Sequence, residues 1–198
     1  MVVTWVTPWT DTLPVNLAAN TIYVLESWTY ITTDTRNMAT CSAIIGKWLV
    51  EIKGNFTTNA RLLLISGKSN WIVDNLNLNR NRGTNVGTTV DVVWVAGSSS
   101  VTLNSIKVYS GYRGMNIYSA SNYVTVNNSE VYDNSSYGIY LYNSMSYGKI
   151  NNCSVHNNSD YGILLSSNAN SWQINLSLIH IWRCRRSTLC RSRWSPYH

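Results

Sequence analysis

The heptapeptide V-N-N-S-E-V-Y at residues 126–132 is the middle one of three copies of a single motif. L-N-S-I-K-V-Y at 103–109 begins 23 residues before it, and I-N-N-C-S-V-H at 150–156 begins 24 residues after it. A period of about 20–50 residues is typical of a solenoid, in which each repeat buries its apolar side chains only by stacking on its neighbours. The sequence therefore predicts a stack of similar coils.

A second element lies between these copies, with the sequences G-M-N-I, G-I-Y-L and G-I-L-L at residues 114–117, 138–141 and 162–165. Its residues alternate in character, with Ile139 and Leu141 on one face and Tyr140 and Tyr142 on the other. A period of two indicates β-strands, and no stretch carries the apolar stripe of a helix. Asn, Ser and Gly between the strands favour tight turns. Each coil is therefore predicted to contain short strands that pair with the next coil at a spacing of about 4.8 Å.

The pattern G-I-x-L followed by N-x-V/I-x-x-N resembles the repeat of the right-handed parallel β-helix in the pectate-lyase-like superfamily. The clearest copies span residues 98–176, and residues 71–78 form a degenerate copy that aligns with 101–108. The resemblance implies an all-β fold, a right-handed single-stranded parallel β-helix (solenoid) with an irregular N-terminal cap.

The spacing between the degenerate copy and the next one stretches to 30 residues. This predicts an insertion, for which the loop 80–87 is the candidate. Further back in the chain, the aligned pattern predicts that Leu62 and Leu64 match Met115 and Ile117 one and two coils on.

The domain organisation follows from the repeats and from the charge distribution. Residues 1–176 are predicted to form one β-helix domain, with the cap and first coil at 1–54 and stacked coils at 55–176. The chain has 15 basic and 9 acidic residues, but ending it at Leu176 leaves 10 basic and 9 acidic ones. The basic tail 177–198 resembles translated sequencing-adapter read-through, and a native basic arm for an acidic surface is the alternative. With a non-native tail, the chain is expected to be a fragment of a longer solenoid.

Several function classes find no support in the sequence. Without the tail there is no basic patch for nucleic acid, and the glycines lack the lysine of a phosphate-binding loop. No apolar run is long enough to span a membrane, and no signal peptide is visible. Cys41 and Cys153 are predicted not to form a disulfide, and Cys153 is predicted to be a small buried thiol. We expect no cofactor and no metal, and the oligomeric state stays open.

Asparagines recur at equivalent positions of successive coils: Asn104, Asn127 and Asn151 in one column, and Asn128 and Asn152 in another. Stacked amides can hydrogen-bond from coil to coil and satisfy backbone groups that turns leave open. We therefore predict a structural asparagine ladder.

Tyrosines are the candidate carbohydrate-binding residues. Tyr118 and Tyr142 lie one coil apart on the outer strand face, and Tyr140 shares that face with Tyr142. Exposed aromatic rings can stack on the apolar faces of sugars. The alternative is that these tyrosines only pack across strands, where tyrosine is a favoured residue.

Catalysis on this fold would need converging carboxylates. The resemblance implies either stacked carboxylates for calcium with an arginine or lysine base, or a cluster of aspartates. The acidic residues here fall at different positions of the repeat, with Asp91 placed by the alignment in the slot of Gly114. An Asp91–Arg113 contact is predicted to be a surface ion pair, and His156 is predicted to have no acidic partner.

The sequence therefore predicts no catalytic residues. We expect a non-catalytic, exported or cell-surface β-helix protein, with the location resting on the resemblance. Its role would be to bind or display a polysaccharide or cell-surface glycan, or to act as a scaffold. The alternative is a fragment of a polysaccharide lyase or glycoside hydrolase whose catalytic coils are missing. The third alternative is an accessory protein that resembles the periplasmic copper-site maturation factors. It is the least favoured of the three, because the sequence offers no cluster of metal ligands.

Overall fold

The computed structural model of the chain describes residues 1–7, 13–38, 42–57, 59–83, 90–142, 145–166, 169–170, 172–175 and 178–179. All regular elements in these ranges are β-strands, and every named strand pair is parallel. None of the described residues forms a helix that is long and apolar enough to cross a membrane. The prediction of an all-β parallel β-helix is confirmed.

The strands are, in chain order, β1 Val2–Val6, β2 Thr21–Leu25, β3 Thr29–Thr32, β4 Arg36–Asn37, β5 Ala43–Gly46, β6 Glu51–Gly54, β7 Leu63–Ser66, β8 Ser69–Asp74, β9 Asn77–Asn79, β10 Val93–Ala96, β11 Ser99–Asn104, β12 Lys107–Tyr109, β13 Met115–Tyr118, β14 Thr125–Asn127, β15 Glu130–Tyr132, β16 Ile139–Tyr142, β17 Met145–Ser146, β18 Lys149–Asn151, β19 Ser154–His156, β20 Ile163–Ser166, β21 Ala169–Asn170, β22 Gln173–Asn175 and β23 Leu178–Ile179.

Three sheets run along the solenoid through the described residues. Sheet A contains β1, β2, β5, β8, β11, β14, β18 and β22, in that order. Sheet B contains β4, β7, β10, β13, β16 and β20, and sheet C contains β3, β6, β9, β12, β15, β19 and β23. Strands β17 and β21 form a separate pair. A typical coil thus passes through sheet A, a short turn, sheet C, a loop and then sheet B.

The pairing register places equivalent residues of successive coils side by side. Leu78, Val108, Val131 and Val155 form one such column in sheet C, and each of them is fully buried. Burying an aliphatic side chain of this size contributes about 1.5–3 kcal/mol relative to exposure. Because every coil adds several such side chains, the core is a continuous apolar rod and not a set of separate clusters.

The turn from sheet A to sheet C has the same backbone shape in neighbouring coils. Its first residue adopts a left-handed conformation, with φ of 54° at Asn75, 51° at Ser105, and 50° at Asn128 and Asn152. Asparagine tolerates this region because its short amide can bond locally. The residue that follows points inward, and at this position Cys153 is buried as predicted. Burial raises the pKa of its thiol, so the thiol is unreactive.

Two details of the predicted alignment are wrong by one residue. Residues 71–78 do align with 101–108, but Met115 pairs through Val93 with Leu63, not Leu62. In the same way, Ile117 pairs through Val95 with Ile65, not Leu64. The run L-L-L-I at 62–65 is apolar at every position, so it lacks the alternation that fixes register in a sequence comparison.

The same shift moves Asp91 out of the glycine position. Val92 occupies the slot equivalent to Gly114, and Asp91 lies opposite Arg113. In the predicted insertion 80–87, residues 84–87 lie outside the described ranges, while Arg80 is buried and its Nε donates to the carbonyl of Ala60 at 3.2 Å.

The predicted N-terminal cap and the predicted non-native tail are not tested by the described residues. Residues 1–54 contribute β1 to β6 to the three sheets, with β1 at the edge of sheet A. Cys41 lies outside the described residues, as does the tail apart from Leu178 and Ile179, which pair with Ser154 and Val155. The origin of segment 177–198 stays a prediction.

Close contact between coils makes Gly138 sensitive to substitution. A Cβ there would lie 2.6 Å from the carbonyl oxygen of Gly162 and 2.7 Å from Val155 Cγ1. We expect Gly138→Ala to lower the free energy of unfolding by about 1–3 kcal/mol, because backbone atoms must move. The matched control is Gly83→Ala, where a Cβ meets nothing within 4 Å. Urea unfolding of both variants checks this, and equal stabilities would contradict the packing argument.

Candidate functional site

Aromatic and charged side chains lie together on the outer surface of sheet B. We call it the sheet B face and define it by Arg61, Asp91, Trp94, Arg113, Asn116, Tyr118, Tyr140 and Tyr142. These residues lie on strands β10, β13 and β16 or just before strands β7, β10 and β13. The inward neighbours Val95, Ile117 and Leu141 are fully buried, so strand alternation turns the residues of the face outward.

The three tyrosines predicted to bind carbohydrate are brought together here. The rings of Tyr118 and Tyr142 stack with centroids 5.6 Å apart and planes 7° apart. Tyr140 stacks beside Tyr142 at 5.5 Å. Trp94 extends the row by one coil, with its ring 6.4 Å from Tyr118. All four rings are half-buried, so the row presents a continuous aromatic surface that the core holds rigid.

A buried carboxylate organises the polar half of the face. Asp91 Oδ1 accepts a hydrogen bond from Arg113 Nε at 2.6 Å, and Oδ2 accepts one from Asn116 Nδ2 at 2.9 Å. The Asp91 side chain is only 3% exposed. The prediction of a surface ion pair is therefore wrong, because the register places Asp91 between two arginines, Arg61 and Arg113, in one column of adjacent coils. An ion pair with both partners hydrogen-bonded offsets the cost of burial.

Arg61 lies across the other end of the face. The centre of its guanidinium lies 3.3 Å from the ring centroid of Trp94, a close cation–π contact. The guanidinium of Arg113 makes a looser contact of this kind with Tyr140, at 5.2 Å. Such contacts contribute about 0.5–2 kcal/mol, more when they are shielded from water.

Three buried polar atoms of the face have no hydrogen-bond partner in the described part of the chain. They are Arg61 Nε, Trp94 Nε1 and Asn116 Oδ1. A buried donor or acceptor without a partner costs about 1–3 kcal/mol. The described side chains of the face therefore leave these three polar atoms without a hydrogen bond.

The chemistry that this face can perform is limited by its carboxylates. The Asp91 side chain is only 3% exposed, and both of its oxygens accept hydrogen bonds from neighbouring side chains, so little of the carboxylate is accessible to a substrate. Asp34 lies two coils before Asp91 and Asp160 lies three coils after it, about 10 and 14 Å away at the usual strand spacing. Glycoside hydrolysis uses carboxyl groups about 5–9.5 Å apart. Among the described residues, these carboxylates therefore do not form a pair at that spacing.

The described residues do not offer a cluster of metal ligands either. Within the described ranges, no group of three or more His, Cys, Asp or Glu side chains converges. The other carboxylates of the strands lie on different surfaces, with Asp74 at the end of a sheet A strand and Glu51 and Glu130 on sheet C.

The asparagines predicted to form a ladder lie at the sheet A to sheet C turn, away from the sheet B face. Side-chain hydrogen bonds of 2.7–3.2 Å join Asn104 to Asp74, Asn128 to Asn104, Asn151 to Asn127, Asn152 to Asn128 and Asn175 to Asn151. Their amide groups bond to the neighbouring coils, so these residues hold adjacent coils in register.

His156 contradicts the prediction that it lacks an acidic partner. Its Nε2 lies 3.0 Å from Glu130 Oε1, and its ring stacks on Tyr132 at 5.3 Å. Glu130 pairs directly with Ser154 in the register, so His156 reaches it along the diagonal of the sheet. Long side chains make such diagonal contacts, which a column-by-column comparison of sequences does not find.

Arg61, Trp94 and Asn116 were not among the predicted site residues. The one-residue shift in alignment hid them, because Trp94, Asn116 and Tyr140 fall in one column only in the true register. The orphaned polar atoms depend on three-dimensional packing and have no signal in the sequence.

Removing Arg113 tests whether the buried ion pair stabilises the fold. Arg113→Met leaves the Asp91 carboxylate buried without its closest cation, and we expect a loss of about 3 kcal/mol in unfolding free energy. The double variant Asp91→Asn/Arg113→Met should recover most of the loss, because a neutral amide replaces the charge. Guanidinium unfolding measures all four members of the cycle. No recovery in the double variant would show that Arg113 acts through packing.

The pH dependence of stability tests the Glu130 cluster on sheet C. Burial by itself raises the pKa of Glu130, but hydrogen bonds from His156 and Lys107 and the lysine charge outweigh it and hold the pKa below the ordinary 4.5. A depressed pKa stabilises the fold above 4.5, and this contribution disappears as the pH falls through the folded value. We expect the unfolding midpoint of Glu130→Gln to fall less on acidification than that of the wild type.

Thermal unfolding at about pH 7 and about pH 3.5 measures the difference. Asp133→Asn, at an exposed turn position with φ of 52°, is the control and should keep the acid dependence of the wild type. An unchanged acid response in Glu130→Gln would remove Glu130 as its source.

Comparison with known proteins assigns the fold. The family model described as right handed beta helix region matches residues 19–180. No curated protein matches the chain. Among solved structures, the A-module of mannuronan C-5 epimerase AlgE4 from Azotobacter vinelandii is similar, with a TM-score of 0.58 and 15% identity over 77% of this chain and 54% of that module. The chain thus spans about half the length of that module.

A candidate glycosyl hydrolase from Parabacteroides merdae is similar as well, with a TM-score of 0.55 and 10% identity over 78% of this chain and 81% of that protein. Identities this low show a common fold alone. The family model, in contrast, covers most of the chain. The chain belongs to the right-handed β-helix family.

Proposed function

We propose that the chain binds a polysaccharide on the sheet B face without cleaving it. The observation that carries the proposal is the row of half-buried aromatic rings, Trp94, Tyr118 and Tyr142 with Tyr140 beside them, which crosses three neighbouring coils. Aromatic planes match the apolar faces of sugar rings, while phenol and guanidinium groups bond to hydroxyls.

The shape of the face supports a chain-like ligand. Tyr118 and Tyr142 lie at equivalent positions of neighbouring coils, about 4.8 Å apart along the solenoid axis. Trp94 is in register with Asn116, so it extends the row by one coil along a diagonal. A linear polymer can contact several rings of such a row at once, and each added contact strengthens binding. A small compact ligand would reach only one or two of them.

Rigidity also supports binding. The strands that carry the rings have Met115, Ile117, Ile139 and Leu141 fully buried on their other side. A ring that is already fixed loses little conformational entropy when a ligand stacks on it. This separates the sheet B face from the exposed corner pair Tyr123 and Tyr147, which are 58% and 59% exposed.

The proposal includes a location outside the cytoplasm, at the cell surface or beyond it, because polysaccharides of this kind are found there. This part rests on the resemblance to exported β-helix proteins. The competing proposal is a lyase or hydrolase, and it needs a free carboxylate or base on the face. The hydrogen-bonded state of Asp91 argues against it for the described residues.

Polysaccharide retention tests the proposal. We expect the protein to be retained on at least one of immobilised polygalacturonate, alginate and xylan, with no shortening of the polymer by size-exclusion chromatography, with or without calcium. Tyr118→Ala/Tyr142→Ala should weaken retention about tenfold or more, because two stacking planes are lost.

The matched control is Tyr123→Ala/Tyr147→Ala, which removes another stacked pair, with centroids 5.3 Å apart, at a different corner of the coil. It should bind as the wild type does. Retention by none of the three polymers would overturn the proposal, and polymer shortening would favour an enzyme.

A further inference from the structure

Two of the orphaned polar atoms lie on neighbouring strands. Trp94 and Asn116 are directly paired in the register of β10 and β13. The indole Nε1 is a donor and the amide Oδ1 is an acceptor, and both are buried with no hydrogen-bond partner among the described residues. Asn116 as a whole is 7% exposed. Buried polar atoms in native proteins are nearly always satisfied, so such a pair requires an explanation.

The orientation of the Asn116 amide is fixed by its own contacts. Its Nδ2 donates to Asp91 Oδ2 at 2.9 Å, and Asp91 is held in turn by Arg113. Because the amide is planar, its oxygen must point away from the carboxylate. A flip of the amide would bring two oxygens together, so Asn116 cannot satisfy Oδ1 by rotating.

The cover over Trp94 is a flexible side chain. The Arg61 guanidinium lies over the indole at 3.3 Å, and its Nε has no partner within the described ranges. Arginine has several rotatable bonds, so the guanidinium can leave the ring without any change in the backbone. Its departure would uncover the aromatic plane of Trp94 and give Arg61 Nε access to an acceptor.

A hydroxyl group both accepts and donates a hydrogen bond through a single oxygen atom, as this donor and acceptor pair requires. Resting on the proposed function, we infer that Trp94, Asn116 and Arg61 form a specificity subsite for one sugar hydroxyl. The hydroxyl accepts from Trp94 Nε1 and donates to Asn116 Oδ1, while Arg61 moves off the indole as the sugar ring enters. The Asp91–Arg113 pair is the support that positions Asn116.

The test compares variants that remove either the proposed donor or the proposed acceptor. Trp94→Phe retains an aromatic plane and removes the N–H, and Asn116→Ala removes the acceptor together with the Nδ2 group that donates to Asp91. Each should bind oligosaccharides of galacturonate, mannuronate or xylose about tenfold more weakly than the wild type by calorimetry. Trp48→Phe, the same replacement at a 69% exposed tryptophan, is the control and should bind normally.

A spectroscopic readout separates recognition from a structural role. Addition of the oligosaccharide should change the long-wavelength edge of the near-ultraviolet absorption, where tryptophan absorbs and tyrosine does not, in the wild type and in Trp48→Phe, because Arg61 leaves the indole of Trp94. Trp94→Phe should lose that change. Its unfolding midpoint should stay close to that of the wild type, because the substitution removes a buried donor that had no partner.

The outcomes distinguish the subsite from the function on which it rests. Normal binding by both Trp94→Phe and Asn116→Ala, with loss of binding in Tyr118→Ala/Tyr142→Ala, would overturn the subsite and leave the polysaccharide face standing. Absence of binding by the wild type to all three oligosaccharides, and to their parent polymers, would overturn both. If Trp94→Phe does not fold, Asn116→Ala decides the subsite.

Discussion

In-register parallel pairing between coils is the constraint on which the rest of this structure depends. Each strand pairs with the equivalent strand of the next coil, so a side chain that faces inward in one coil faces inward in all of them. The strands therefore cannot shift, and changes in coil length are confined to the loops. The 30-residue spacing before β11 shows this, because β8 and β11 pair in full register although the loop between their coils is longer. The same constraint places tyrosines of successive coils side by side in a row, and asparagines of successive coils side by side in a ladder.

Stacking also explains why a charged cluster is tolerated on sheet B. A carboxylate placed among rungs that are about 4.8 Å apart has neighbours both before and after it in its own column. Asp91 has Arg61 and Arg113 in those positions, with Asn116 on the adjacent column. The hydrogen bonds of Asp91 fix Arg113 and Asn116 on the next coil, so they join two coils and at the same time set the orientation of the Asn116 amide. Under the proposed function, recognition would depend on the same hydrogen bonds as stability.

The sequence predicts this fold well because the repeat and the alternation of residues are physical requirements of a stacked coil. The buried columns around Val131 and the asparagine columns follow from spacing alone. The sequence predicts the site less well, for two reasons. An all-apolar segment such as 62–65 leaves register open by one residue, which misplaced Leu62, Leu64 and Asp91. Contacts across diagonals, such as His156 with Glu130, and orphaned atoms, such as Trp94 Nε1, arise only from packing.

The three sheets differ in how the polar groups of their outward side chains are paired, and this difference supports the proposed binding surface on sheet B. Trp172, just before a sheet A strand, also has a buried Nε1 without a partner in the described chain, so the difference concerns the repeated outward columns. At the edge of sheet A the asparagine amides bond to one another from coil to coil. On sheet C, Glu51 accepts hydrogen bonds from Asn79 and Tyr109, and Glu130 is paired with Lys107 and His156. A ligand would have to break those contacts before making its own, and little net affinity would remain. On sheet B, polar atoms of Trp94 and Asn116 lack partners in the described chain, and the aromatic row beside them is already rigid. Under the proposed function, a sugar bound there would gain hydrogen bonds that the described residues do not make among themselves.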